Sequence, residues 1–358
     1  MKIGLVLPGN IWMSPFIKIY TQILDECDCQ YDIISWNRDG TDKPNGIQFN
    51  ELQIISGSRF KKVAPYLRYI KFVKHTIRNN KYDKLIIFGP QIAIPLCGFL
   101  SIKYKKKYIF DYRDFSIDQY SVLKPIFKHV LTNSAVNMVS SPGYIQCLPK
   151  RIQYIISHNF DIAAVKQAIA SEVIESKNTS NPIEVLTIGS IRNFSSNSLV
   201  IKALSNKSNF KMQFVGKGLA ADQLKTYAHQ IGTSNIIFTG YYPKEQEPEY
   251  IKKCSFLNIF CPNILSHSTL LSNRFYLGLI YKRPMIVSAN SIQGDYCEKY
   301  NLGISVTNIN KLSEELESWY NTMNYTEFSK RCNKLLEEFI DDYDTFKSNV
   351  LDFLCISA

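Results

Sequence analysis

The chain has 358 residues, 45% hydrophobic and 20% charged, with 42 Lys and Arg against 31 Asp and Glu for a formal net charge of +11. That length exceeds what one core usually accommodates and calls for two domains of roughly 150–200 residues. With 16 Gly, 14 Pro and no repeats or low-complexity tracts, the composition excludes a fibrous or disordered protein. Nine cysteines are spread widely, and the only close pair, Cys27 and Cys29, is a lone C-x-C that carries little metal signal. They are expected to be reduced and mostly buried. The start, MKIGLVLPG, lacks a secretory h-region followed by a cleavage site and reads as a strand. A cytoplasmic chain is the expectation.

In chain order, a strand over 3–7 ends in Pro8-Gly9-Asn10. Open α/β sheets bind ligands at the C-terminal ends of strands, so Gly9 and Asn10 are candidate binding residues. The loop is not G-x-G-x-x-G, and the dinucleotide fingerprint is absent. A helix over 15–24, strands over 31–36 and 49–55, and a basic helix over 65–79 follow. Residues 85–102 carry no charge, but Gly89, Pro90, Gln91 and Pro95 interrupt them. A strand over 85–88, a turn and a helix fit better than a membrane span. A strand over 108–110 opens into Asp111-Tyr112-Arg113-Asp114. A helix over 122–131, a strand over 135–140, a short helix from Pro142 and a strand over 152–156 complete this half.

His158-Asn159-Phe160-Asp161 marks the crossing between domains, with Asp161 as N-cap of a helix over 163–174. Residues 176–182 are polar and read as a loop. The alternation then restarts with strands over 183–188, 211–215, 236–239 and 256–260, and helices over 197–204, 220–231 and 246–252. Residues 271–306 read as helix 273–280, strand 285–288, helix 292–300 and strand 303–306. Helices over 312–322 and 328–340 follow, and the tail, 345–354, is apolar at helical spacing. Strands this apolar, alternating with helices, imply α/β domains with parallel sheets covered on both faces.

The positive charge is concentrated. Residues 59–81 hold eight Lys or Arg and no Asp or Glu, and residues 59–107 hold thirteen against Asp83 alone. One reading is a solvated helix face. The other is an anionic partner, because clustered cations steer at long range. Apolar residues from Pro65 to Val73 interleave with Arg68, Lys71 and Lys74, which favours a membrane surface over nucleic acid. No nucleic-acid-binding module is present.

Four strand-end clusters in the second half carry candidate chemistry. Gly189-Ser190-Ile191-Arg192 places a guanidinium fork near a helix start, which suits diphosphate oxygens. Gly216-Lys217-Gly218 allows close backbone approach and adds a point charge. Gly240-Tyr241-Tyr242 offers a ring that would wall a base pocket or pack in the core. Between Cys261 and Arg274 the chain supplies His267, Ser268, Thr269 and Leu270, then a helix whose first amides can hold a diphosphate near Asn273 and Arg274. In the first half, Asp114 is a candidate to accept from a sugar hydroxyl or to hold Arg113. D-Y-R-D is not a D-x-D metal motif, and no His/Cys/carboxylate set has metal spacing. A G-x-S-x-G elbow is absent.

These residues resemble a bacterial glycosyltransferase of the large retaining group with the GT-B fold, often called family 4, of the surface-polysaccharide type. Ile156-Ser157-His158-Asn159-Phe160-Asp161 resembles its interdomain I-P-N-G-V-D segment. Ile188-Gly189 with Arg192, Val215-Gly216-Lys217-Gly218 and Phe238-Thr239-Gly240 resemble successive strand ends of its donor domain. Ser272-Asn273-Arg274-Phe275-Tyr276 with Arg283-Pro284-Met285-Ile286-Val287 resembles P-N-K-F-x-E-Y-x-x-x-G-K-P-V-I. The resemblance implies two Rossmann-like domains facing each other across a cleft. Residues 1–158 would bind acceptor and 159–342 the nucleotide-sugar donor, with a C-terminal helix over about 343–358 returning to the first domain.

The implied reaction moves a sugar from a nucleoside diphosphate sugar, by family habit a UDP-sugar, to a lipid-linked glycan in capsular or lipopolysaccharide synthesis. It retains anomeric configuration without metal or cofactor. Arg192 and Lys217 would neutralise the leaving diphosphate and Asp114 would touch the acceptor. The basic segment 59–81 would hold the chain on the anionic inner face of the cell membrane. Two departures stand out: the Lys that normally follows the arginine at the donor domain's opening is missing, with Ser195 to Ser198 in that region, and two acids are lost. The family's paired glutamates fall on Thr269 and Leu277, and losing a charge-assisted ribose contact costs about 1.5–3 kcal/mol. Asp295 and Glu298 are candidate substitutes. A GT-B sugar-nucleotide epimerase is one rival, and a catalytically weak nucleotide- or glycan-binding assembly protein is another.

Overall fold

The computed structural model describes residues 1–43, 46–52, 59–171 and 182–355. The chain divides into two compact units, 1–159 with 341–358, and 160–340.

Unit 1 is built on seven parallel strands: β1 (Lys2–Val6), β2 (Gln30–Asn37), β3 (Ile47–Asn50), β4 (Lys84–Phe88), β5 (Tyr108–Tyr112), β6 (Val136–Val139) and β7 (Ile155–Ile156). They lie in the order β3-β2-β1-β4-β5-β6-β7. Every residue of β4 and β5 is buried, which is why these strands read as apolar runs without alternation. Lys84 is the exception in β4. Its ammonium donates to the carbonyls of Phe353 (2.6 Å) and Leu354 (3.3 Å) in the C-terminal helix. The same helix packs Phe346 edge-on against Tyr20, ring centroids 5.0 Å apart.

Unit 2 has six parallel strands: β8 (Ile183–Ile188), β9 (Phe210–Val215), β10 (Ile236–Gly240), β11 (Phe256–Asn258), β12 (Met285–Ser288) and β13 (Gly303–Val306). Their order is β10-β9-β8-β11-β12-β13. Its core joins Val185, Phe214 and Ile286 of the sheet to Ile201, Leu224 and Leu316 of the covering helices. In both sheets the strand order reverses once, beside β1 and beside β8. Chain connections leave such a point in opposite directions and open a crevice at the strands' C-terminal ends.

Several expectations change. The strand over 49–55 is Ile47–Asn50, and 53–55 fall outside the described residues, as do 176–181 of the expected 176–182 loop. The basic helix runs Arg59–Asn80 and continues through Pro65 instead of starting there. The helices expected over 328–340 and in the tail are one, Tyr325–Cys355, because nothing between Ile340 and Thr345 is a Gly or Pro that would stop it. The first part of that helix belongs to unit 2 and the part from Asp341 to unit 1. All nine cysteines are free, but only Cys254, Cys297 and Cys332 are buried; Cys27, Cys147 and Cys355 are exposed. Residues 85–102 form β4 and the helices Pro90–Ala93 and Cys97–Lys103. Among the described residues no helix is long and apolar enough to cross a membrane.

Candidate functional site

The strand-end loops of unit 2 meet at one place. Gly189 donates its amide to the Val215 carbonyl at 2.9 Å, Ile191 to Lys217 at 3.1 Å, and Gly216 to Gly240 at 2.7 Å. The loops after β8, β9 and β10 are thereby laced side by side. The lacing demands glycine at two positions. Gly216 has φ +134, and a Cβ there would land on the Gly189 carbonyl oxygen; one on Gly218 would land on that of Ile191.

Three cations surround this backbone surface. Arg192, exposed at the start of the helix Phe194–Leu204, donates its Nε to Ser190 Oγ at 2.9 Å. Arg274 reaches in from the helix Asn273–Ile280 and donates to the carbonyls of Ser190 and Asn258, each at 3.3 Å. Both arginines therefore converge on Ser190. Burial lowers the Arg274 pKa from its usual value, and the nearby Arg192 charge pushes the same way. Lys217 holds its ammonium 5.7 Å from the Tyr241 ring centroid, and that ring is 71% exposed. Tyr241 is thus outside the core. Among the described residues none of these three cations is ion-paired. Cations gathered beside laced backbone loops are the chemistry that a multiply charged anion would draw on.

The remaining candidates divide. His267 and Ser268 are half-buried on the short helix Leu265–Ser268, followed by half-buried Leu270. Asn273 is exposed at the first position of its helix. Thr269 is fully buried, and its hydroxyl donates to the Leu265 carbonyl at 2.8 Å, so it caps its own turn. The Ser272 amide, one of the donors expected for a diphosphate, is taken by Gln293 Oε1 at 3.0 Å, which also accepts from Ser272 Oγ at 2.7 Å. Leu277 is half-buried, while Asp295 and Glu298 are exposed on the helix Ile292–Tyr300. Sequence reasoning missed Asn258 and Gln293. Asn258 is buried at the end of β11 and bonds Thr187 Oγ1 at 2.8 Å, tying β11 to β8. A polar residue in an otherwise apolar strand was the available signal.

In unit 1 the loops after β1, β2, β4 and β5 enclose a cavity of about 190 Å³ lined by Gly9, Arg38, Gly89, Gln91, Arg113 and Asp114, among others. Asn10 is fully buried; its amide donates to Asn37 Oδ1 (3.2 Å) and Asp39 Oδ1 (2.7 Å), so the side chain fixes the loop. Arg113 donates to Asp111 at 2.6 Å and to the Ser157 carbonyl at 3.0 Å, with Asp111 instead of Asp114 as its ion-pair partner. Asp114 is exposed, and its Oδ1 accepts from the Phe115 amide. Arg38 was missed. It bonds the Pro8 carbonyl and the Tyr66 hydroxyl and lies 4.6 Å from the Trp36 ring centroid. Its position just past a strand was the signal. On the basic helix, Arg68 is paired with Glu51, and Lys74 and Arg78 lie over Phe99, while Leu67 stays exposed. Side chains 59–62 are outside the described residues. Among the described residues no group of three or more His, Cys, Asp or Glu is placed to hold a metal.

No protein-family model and no curated protein sequence matches the chain. Solved structures do match over nearly its whole length. Sucrose-phosphate synthase from Thermosynechococcus elongatus superposes with a TM-score of 0.75 at 12% identity, covering 100% of each chain. Anabaena Alr3699/HepE in complex with UDP-glucose gives 0.65 at 13% identity, covering 99% of each. A Listeria monocytogenes protein described as a UDP-N-acetylglucosamine 2-epimerase gives 0.58 at 10% identity, covering 92% of this chain and 90% of that one. The fold is GT-B. At these identities the likeness speaks for the GT-B fold alone, with two Rossmann-like units, and a synthase and a protein described as an epimerase share it.

Proposed function

We propose that the chain is a retaining GT-B glycosyltransferase that moves a sugar from a nucleoside diphosphate sugar, a UDP-sugar in the first instance, to a lipid-linked glycan acceptor. The observation that carries this reading is the meeting of Arg192 and Arg274 on Ser190, beside Lys217 and the laced glycine loops. The bond between the sugar C1 and the diphosphate oxygen breaks, and C1 bonds to the acceptor oxygen on the same face. The acceptor proton passes to the departing phosphate oxygen, so no separate base is required. Arg192, Lys217 and Arg274 offset the charge that develops on the diphosphate, the largest catalytic contribution such a site offers. Tyr241 walls the nucleotide base, and the stretch from His267 to Asn273 borders the sugar and diphosphate. Unit 1 takes the acceptor in the pocket at Gly9, Arg113 and Asp114. The basic helix rests on anionic lipid at the inner face of the cell membrane, which brings lipid-linked acceptor close.

Calorimetry with UDP, GDP, their sugar conjugates and NAD tests the donor. One nucleoside diphosphate is expected to bind, with Arg192→Ala weakening it at least tenfold, or about 1.4 kcal/mol. Absence of any nucleotide binding sinks the reading. Free UDP appearing only with acceptor separates transfer from epimerisation. Thr269, buried and bonded to its own turn, and Leu277 favour a second reading, a nucleotide-binding assembly protein without turnover. Binding without product in every acceptor tried would select it.

A further inference from the structure

Unit 1 has a second concave site, at the other end of its sheet. The pocket at Gly9 and Arg113 follows the strands; this one precedes β5, β6 and β7, about one strand length or ~15 Å away. Here a cavity of about 400 Å³ is lined by Lys106, Lys128, Lys150 and Arg151. An adjoining depression of about 610 Å³ shares the last three and adds Lys124. That first volume is in the range of roughly 300–1,000 Å³ typical of small-molecule sites.

No carboxylate lines either space. The sequence gives the reason: no Asp or Glu occurs over 84–110 or over 119–160, and the fold brings these two stretches together. Among the described residues none of the five cations is ion-paired. Lys106 donates to the carbonyls of Thr132 (2.9 Å) and Ser134 (2.8 Å). It thereby offsets the partial negative charge at the C-terminus of the helix Lys124–Asn133, which would otherwise repel an anion. Lys106 and Arg151 both hold left-handed backbone, at φ +59 and +64. That conformation brings Cβ close to the following carbonyl oxygen and is unfavourable for any residue with a side chain, and both positions face the same cavity.

We propose that this cavity binds a phosphate-bearing anion of at least two negative charges. Like charges gathered in one concavity repel, and a multivalent anion relieves that repulsion while gaining several charge-assisted hydrogen bonds. The same chemistry is offered by a soluble pyrophosphate-like ligand and by a phosphomonoester lipid headgroup. The inference stands whether or not unit 2 holds a nucleotide sugar.

The test uses the full chain carrying Arg192→Ala and Lys217→Ala, which removes two of the unit 2 cations, and calorimetric titration with inorganic pyrophosphate. Binding is expected, and adding Lys128→Ala and Arg151→Ala should weaken it at least tenfold. Flotation with phosphatidylcholine vesicles, with and without phosphatidic acid, identifies the source. Loss of phosphatidic-acid-dependent binding in Lys128→Ala/Arg151→Ala points to a headgroup; unchanged vesicle binding with lost pyrophosphate binding points to a soluble ligand. No pyrophosphate binding overturns the proposal. So does an equal loss in Lys103→Ala/Lys105→Ala, two cations outside the cavity, because the attraction would then be diffuse surface charge.

Discussion

At the scale of single residues, glycine and the two arginines do different work. Gly216 is required by backbone geometry: its φ is +134 and its missing Cβ makes room for the Gly189 carbonyl. Gly216→Ala is expected to cost ~2 kcal/mol or more of stability, as an over-packed and strained site does. The denaturation midpoint measures this, and an unchanged midpoint would mean the loops are not laced as described. Arg192 is exposed, so Arg192→Ala should leave that midpoint unchanged while weakening nucleotide binding at least tenfold. Asn10 and Thr269, chosen from the sequence as ligand contacts, are buried and hydrogen-bonded within the fold, Asn10 to Asn37 and Asp39 at the end of β2 and Thr269 to its own turn. A short polar side chain at a strand end serves a turn or a ligand equally well, and sequence pattern does not separate the two.

At the scale of elements, the helix Tyr325–Cys355 and the basic helix carry the expectations. His158 is buried, and its Nε2 lies 3.0 Å from Asp342 on the long helix. Burial lowers the His158 pKa below its usual 6.5, outweighing the carboxylate's opposite pull. The folded chain therefore holds the ring neutral, with its N–H donated to Asp342. Above about pH 6.5 folded and unfolded chains bind the same number of protons at this group. As pH falls below that, the unfolded chain gains a proton the folded one resists, and stability drops. The thermal midpoint should fall between pH 7 and 5.5, with a shallower fall in His158→Gln; equal slopes would count against a neutral buried ring. On the helix Arg59–Asn80, Lys71→Glu with Lys74→Glu should abolish binding to anionic vesicles, and wild-type binding should weaken as salt rises toward 0.5 M. Binding indifferent to both would leave this face merely solvated.

At the scale of the whole molecule, residues from 341 onward belong to the unit that the chain's beginning builds. Deleting 341–358 removes the carbonyls that receive the Lys84 ammonium, a lysine only 2% exposed in the central strand β4. Hydrogen exchange should then speed up in β1 and β4 and leave β8 and β9 protected. Uniform acceleration across both sheets would show that the tail stabilises the chain as one cooperative body.

The sequence by itself determined the element types. Apolar runs at strand ends marked by glycine, restarting once near Asp161, fixed two α/β halves, because a strand buried on both faces has no alternative but apolar composition. It also marked Gly189, Arg192, Gly216, Lys217 and Arg274, since phosphate-type chemistry draws on few residue types. Only the tertiary structure decided which loops are neighbours. Strand order places β11 beside β8 and brings Arg274 to Ser190 across more than eighty residues. It likewise gathers two carboxylate-free stretches around Lys128 and Arg151. Such meetings depend on crossovers and sheet order, long-range choices that local hydrophobic pattern does not encode.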